Sequence, residues 1–267
     1  MEKVIHKVII FLLLFVNYLP AAFEIQLINP ENIACGSIVS ILPGGLNYST
    51  ILDEYGINLR ASYTSLFGIN ELAYKSACFS WNHNMQNGYS LRLNAFGDEV
   101  YNESQVSAGY ARKINPQIRV SVNLNIYNLS IKNYYKAWCF GAGVGGIFNL
   151  TEKLKMSLLY NNINGAKLKN GEPLPRLFCA GFKWELHQKV DLMGEFYKDT
   201  EYPFITRMGT KIKVVKHING MPGVQFEPNR FSYGVCCYWG GIKINVAYKS
   251  HFDLPSTLYF GCHISIK

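Results

Sequence analysis

Ser250-His251-Phe252-Asp253 gathers a nucleophile, a base and a carboxylate in one short run, and His263-Ile264-Ser265 sets a histidine and a serine on one strand face. These are the residue types of acyl transfer, and a phospholipase built into a barrel wall would pair a histidine with a serine on its exterior. A triad works only when each member orients the next, which closeness in sequence does not supply. His251 and Asp253 stand at a strand end, where turn chemistry accounts for them, so no catalytic residue is assigned. Gly141-Ala142-Gly143-Val144-Gly145-Gly146 spells the GxGxxG pattern. That fingerprint needs its glycines between a strand and a helix N-terminus. Here Gly141, Gly143 and Gly145 alternate with Phe140, Ala142 and Val144 inside a strand. They read as points where neighbouring side chains or a plug approach a wall, and no cofactor is expected.

Cys35, Cys78, Cys139, Cys179, Cys236, Cys237 and Cys262 are odd in number and irregularly spaced. Zinc would call for CxxC pairs, so no metal is expected and the cysteines read as small hydrophobes on strands. Adjacent Cys236 and Cys237 must point to opposite faces. The net charge of +8 is spread along the chain without a dense basic run, and no nucleic-acid partner is expected.

Charged residues on the polar face of alternating segments form a further set. Arg60, Arg92, Arg119, Arg207, Lys211, Lys213, Lys243 and Lys249 stand against Asp191, Glu195 and Glu227. Buried charges need partners. A lumen cluster of Arg60, Arg92, Arg119, Asp191, Glu195, Arg207, Glu227 and Lys243 is therefore expected to brace the wall across the lumen. A basic pore lining that favours anions is the functional alternative. Glu195 to Pro203 is the most polar-aromatic stretch. Glu195, Tyr197, Lys198, Asp199 and Tyr202 make a candidate partner-contact hairpin, with interfacial girdle aromatics as the plainer reading.

The elements that must position these residues are strands. Ile118, Val120, Val122, Leu124 and Ile126 alternate with Arg119, Ser121, Asn123 and Asn125; Ile242, Ile244, Val246 and Tyr248 alternate with Lys243, Asn245, Ala247 and Lys249. In a strand such sets face opposite sides. Charged residues are 16% of the chain and aromatics 14%, against roughly 25% charged in soluble proteins. The pattern predicts strands near 57–66, 71–81, 87–97, 102–113, 117–130, 136–149, 153–161, 173–185, 188–198, 203–217, 220–229, 230–239, 241–250 and 256–267. The seams carry turn chemistry at Asn87-Gly88, Gly97-Asp98, Asn115-Pro116, Asn170-Gly171, Asn219-Gly220 and Gly240-Gly241. The fold expected is all-β: an antiparallel transmembrane β-barrel of about 14 strands over 57–267, apolar towards lipid and polar towards a lumen. A soluble sandwich would alternate too, but seldom through nearly every segment.

Lys3 and Lys7, the apolar run Val8 to Val16, and Pro20-Ala21-Ala22 are ordered as a cleavable leader over 1–22. Residues 23–56, with Asn29-Pro30 and Pro43-Gly44-Gly45, lack a strand pattern and read as a plug or a periplasmic lead-in.

The run Asn29-Pro30-Glu31-Asn32-Ile33-Ala34-Cys35-Gly36, then Ser40-Ile41-Leu42-Pro43 leading to Asn47, resembles the lead-in of the PorV/PorQ group within the FadL-like outer-membrane barrels. The strand from Tyr248 and the closing strand Leu258 to Ile266 add to that resemblance, which spans the mature chain. Asn47 is followed by Tyr48-Ser49 where the family has Asn-Pro-Ala, and Lys267 stands where such barrels end on an aromatic residue. The resemblance implies a non-enzymatic outer-membrane protein. Its first reading is a secretion-associated or docking component with secretion-machinery or cargo proteins as partners. The alternative is a FadL-like passive channel for small hydrophobic solutes, and an outer-membrane phospholipase is the distant third. Short predicted connections, 161–172 apart, place the docking reading first.

Overall fold

The computed structural model describes residues 22–24, 27–200 and 202–266; the expected leader, apart from Ala22, lies outside them. Strands follow one another round a ring in chain order: β1 (Gly56–Ser65), β2 (Ala73–Asn82), β3 (Asn87–Gly97), β4 (Tyr101–Lys113), β5 (Ile118–Ile131), β6 (Tyr135–Asn149) and β7 (Leu154–Asn161) make one half. β8 (Leu177–His187), β9 (Val190–Asp199), β10 (Ile205–Val215), β11 (Ile218–Phe226), β12 (Arg230–Trp239), β13 (Ile242–Lys249) and β14 (Thr257–Ile266) make the other. Each pairs antiparallel with its neighbours. The ladder from Ile57↔Ile266 to Thr64↔Tyr259 joins β1 to β14 and closes the barrel. Closure satisfies backbone groups all round the ring, which is the condition for strands to sit in hydrocarbon.

The two faces follow the sequence alternation. On β5, Val120, Val122 and Leu124 point outwards and are exposed, whereas Arg119, Ser121, Asn123 and Asn125 are buried. β1 sends Leu59 and Tyr63 out and Asn58 and Thr64 in. Outward aromatics gather towards both rims. Trp81, Tyr89 and Tyr110 lie together at one; Tyr160 with Phe178, and the stacked pair Tyr233–Tyr248, lie at the other. Two apolar rims flanking an aliphatic belt suit the two interfaces of a bilayer.

One rim carries only tight turns, 83–86, 114–117, 150–153, 188–189, 216–217 and 240–241, and there the chain enters β1 and leaves β14. The opposite rim carries the long connections 162–176 and 250–256. Three sequence expectations shift. The β2–β3 turn falls at 83–86 and leaves Asn87-Gly88 inside β3. β8 starts at Leu177 rather than near 173, because Pro173 and Pro175 cannot donate to a ladder. The β10–β11 turn falls at Lys216-His217, leaving Asn219-Gly220 inside β11, where the Asn219 amide donates to the Tyr238 hydroxyl at 2.8 Å.

Residues 27–55 fill the lumen. Asn29 caps a short helix, α1 (Pro30–Ala34), by accepting from the Glu31 amide at 3.3 Å, with Pro30 at its first position. Gly36, at φ +80°, ends it, and the helix packs against β11 to β14. A second turn, Tyr48–Asp53, is capped by Asn47 and packs against β2 to β6. Asn47 is fully buried; its amide donates to the Gly146 and Leu158 carbonyls at 3.1 and 3.3 Å.

Such an approach requires a wall without side chains at the contacts. A Cβ on Gly223 would overlap the Gly36 amide and the Cys35 carbonyl carbon; one on Gly145 would overlap the Asn47 side chain. Of the GxGxxG spelling on β6, Gly145 thus seats the plug, whereas Gly141 and Gly143 make room for Tyr127, Asn123 and Asn161 of the wall. All seven cysteines are free thiols, with Cys236 facing in and Cys237 out.

Two measurements test this arrangement. Leu124→Arg, near the middle of β5, should destabilise the protein in lipid vesicles by about 2–4 kcal/mol. Tyr134→Arg, on the β5–β6 turn, should change it by less than about 0.5 kcal/mol, and equal effects would misplace the lipid belt. Gly223→Val should cost about 1–3 kcal/mol by overpacking against the plug. Gly220→Ala, whose Cβ meets only Val214 at 3.6 Å, is the matched control. Heat conversion of the folded band on detergent gels reads both.

Candidate functional site: a plugged lumen with a cavity at the long-loop rim

Between the plug and the long-loop rim lies a cavity of about 630 Å³. Its floor is the plug itself, through Leu27, Ile33, Ser37, Val39 and Leu46. Its walls are Tyr197, Ile205, Arg207, Arg230, Lys249 and Tyr259, and Leu66, Phe67, Pro203 and His251 stand at its mouth. Most of the lining is apolar, with Arg207, Arg230 and Lys249 and the carboxylates of Glu24, Asp199 and Glu227 set into it. Lys249 Nζ donates to Ser37 Oγ at 2.7 Å and to Gln225 Oε1 at 3.5 Å, both neutral acceptors. Arg230 Nη2 lies 3.3 Å from His251 Nε2. Burial and the adjacent Arg230 guanidinium hold the pKa of His251 below the usual histidine value. An apolar chamber with a few convergent polar groups is the ordinary form of a small-molecule site.

Floor and wall are joined through Glu195. Its carboxylate accepts from the Val39 amide at 3.0 Å, the Ser40 amide at 2.7 Å and Arg207 Nη1 at 3.2 Å. Arg207 Nη1 also donates to the Ser37 carbonyl at 2.7 Å, and its guanidinium lies 3.6 Å from the centre of the Tyr197 ring. On the short-turn side of the plug, a smaller cavity of about 250 Å³ is lined by plug acids and wall lysines. Glu31 pairs with Lys211, and Glu54 with Arg60 and with Lys243, the last at 3.3 Å. Asp53 takes Arg119 at 2.8 Å and Lys155 at 3.2 Å.

The lumenal charges expected from sequence therefore separate. Arg60, Arg119 and Lys243 meet acids of the plug, not the wall acids opposite them. Arg92 donates to the Gly44 and Gly45 carbonyls at 3.1 and 2.5 Å. Asp191 pairs with Lys183 of the neighbouring strand at 3.0 Å. Glu227 sits exposed on the β11–β12 turn, at the mouth of the larger cavity rather than inside the cluster. The bracing expected across the lumen runs from wall to plug. Glu31, Asp53 and Glu54 escaped sequence reasoning; their one signal was carboxylates in a segment otherwise short of charge.

The 195–202 stretch presents no single outward face. Strand alternation sends Glu195, Tyr197 and Asp199 into the lumen. Lys198 Nζ lies 5.6 Å from the Phe204 ring centre and donates to the Tyr202 carbonyl, while the Tyr202 hydroxyl donates to Glu24 at 2.9 Å. The acyl-transfer residues are not assembled either. Ser250 Oγ accepts from the Phe231 amide at 2.8 Å, and His251 Nδ1 accepts from the Leu254 amide at 3.2 Å. His263 and Ser265 both face the lumen and bond Asn58 Oδ1, at 2.9 and 2.6 Å.

Glu195→Ala should be the most damaging single truncation in the lumen. It strands Arg207 and two plug amides, and breaking a buried pair from one side costs about 3–5 kcal/mol. Equilibrium unfolding in vesicles measures it; a loss below about 1 kcal/mol would mean that the plug is not anchored there.

No protein-family model matches the sequence, and no curated protein does. Solved structures do. The chain is similar to the CymD monoaromatic hydrocarbon channel, with a TM-score of 0.67, 12% identity, and 92% of this chain and 99% of that one covered. It is similar to a Pseudomonas aeruginosa FadL homologue, with a TM-score of 0.65, 9% identity, and 91% and 99% coverage. The Pseudomonas putida toluene transporter TodX aligns with a TM-score of 0.63 and 10% identity, over 89% and 98% of the two chains. At such identities the likeness is one of fold, a closed fourteen-strand antiparallel β-barrel.

Proposed function

We propose that the protein is an outer-membrane channel for small hydrophobic solutes, taken in at the long-loop rim and held back by the plug. The observation that carries this reading is the 630 Å³ cavity, largely apolar, open towards the long loops and floored by residues 27–46. Barrels of this class keep short turns on the periplasmic side and long loops outside, so the cavity faces the exterior. The fold neighbours named as a monoaromatic hydrocarbon channel and a toluene transporter support this reading over a docking role. Lys249 and Arg230, bonded to neutral partners, extend the substrate class to amphiphiles with an anionic head.

The secretion-associated docking reading is second. It rests on short connections, which the structure keeps except at 162–176, the stretch that the sequence also leaves long; against it, the 195–202 stretch turns half of its side chains inwards.

Deleting residues 36–45 removes the floor. Uptake of a small apolar dye by proteoliposomes and single-channel conductance should then rise together, by about tenfold or more, since a plug is the main barrier in a filled lumen. Unchanged permeability with loss of a co-purifying protein would put the docking reading first.

A further inference from the structure

Glu103, on β4 at the long-loop rim, is a buried carboxylate. Among the described residues its hydrogen-bond donors are the Phe23 nitrogen at 2.9 Å and the Tyr101 hydroxyl at 2.6 Å. In an uncut chain both donors are neutral, and a buried carboxylate without a cation is costly. The other acids anchoring the plug, Glu31, Asp53, Glu54 and Glu195, each face a lysine or arginine. Phe23 also carries φ +61°, a left-handed conformation that a preceding carbonyl makes unfavourable for a bulky residue. Its ring packs edge-on against Tyr127, centroids 5.0 Å apart. Ala22 is 3% exposed, so an uncut leader would have to depart from a buried position.

The geometry points to cleavage between Ala22 and Phe23, leaving the new α-ammonium of Phe23 as the cation that Glu103 is built to receive. Ala21-Ala22 supplies the small residues that leader-cleaving peptidases take. Hydrolysis adds one water across the amide. Ala22 departs as a carboxylate with the leader, and the acid proton passes to the Phe23 amine, which becomes the ammonium. The same cut removes the carbonyl that made φ of Phe23 unfavourable. Glu103 becomes a latch that fixes the amino end of the plug segment to β4, at the opposite rim from its covalent junction with β1. This inference is independent of what passes through the lumen.

Intact mass and N-terminal sequencing of protein extracted from its native membrane should give a chain starting at Phe23, and any other start overturns the proposal. Acylation of the α-amine by an activated ester, followed against pH, then reads the ion pair in the wild-type protein. A free α-amine titrates at about 7.7–8.0. The pair should raise that midpoint by about one unit and slow labelling at neutral pH about tenfold; burial without a pair would lower it. Glu103→Gln should bring the midpoint back to or below the free-peptide value. A wild-type midpoint at or below that of the peptide Phe-Glu-Ile-Gln-Leu overturns the latch even if the variant does not fold.

Discussion

The β1–β14 ladder is the interaction on which the rest depends. With eight register pairs from Ile57↔Ile266 to Thr64↔Tyr259, the sheet has no edge, and a sheet without an edge can expose an apolar belt to hydrocarbon. Closure also fixes which side of every strand is inside. A one-residue slip would turn Arg119, Ser121 and Asn123 out to lipid and Val120 and Val122 inwards. The lumen polarity, the plug seat and the cavity are all consequences of that register.

A ring of this size leaves an interior that side chains from the wall alone do not fill. The plug occupies it through two complementary devices. Glycines open the wall where the plug backbone runs closest, as at Gly223 and Gly145. Three acids of the plug, Glu31, Asp53 and Glu54, meet five bases of the wall, Arg60, Arg119, Lys155, Lys211 and Lys243. Residues 27–55 contain no lysine or arginine, so the positive balance of the sequence lies outside the plug.

The strands were legible because a single physical demand, lipid on one side and water or plug on the other, is written at every second residue. The β5 alternation predicts each buried and exposed residue from Arg119 to Asn125. Local turn chemistry was a weaker guide. Asn219-Gly220 is a good hairpin dipeptide, yet the ladder with β10 and β12 carries through it and Asn219 is used for its amide instead. Ion partners were hidden because the plug has no period, so nothing in the sequence tells which rim Glu31 or Glu54 reaches. Glu227 was placed inside because alternation was extended past the strand into its turn. The cavity was unreadable, since Leu66, Tyr197, Arg230 and His251 come together only through closure.

The plug is attached to the barrel covalently at one end, where Tyr55 leads into β1 at the short-turn rim. Mechanically it is a cord rather than a domain. Drawn out straight, residues 27–55 would reach roughly 100 Å, several times the ~25 Å apolar band of such a barrel. A pull from the short-turn side would therefore peel the cord away contact by contact, each small detachment opposed separately, while the wall stayed unmoved. The lumen can be emptied by work done over distance in one direction, whereas force from the other side is borne by the β1 junction.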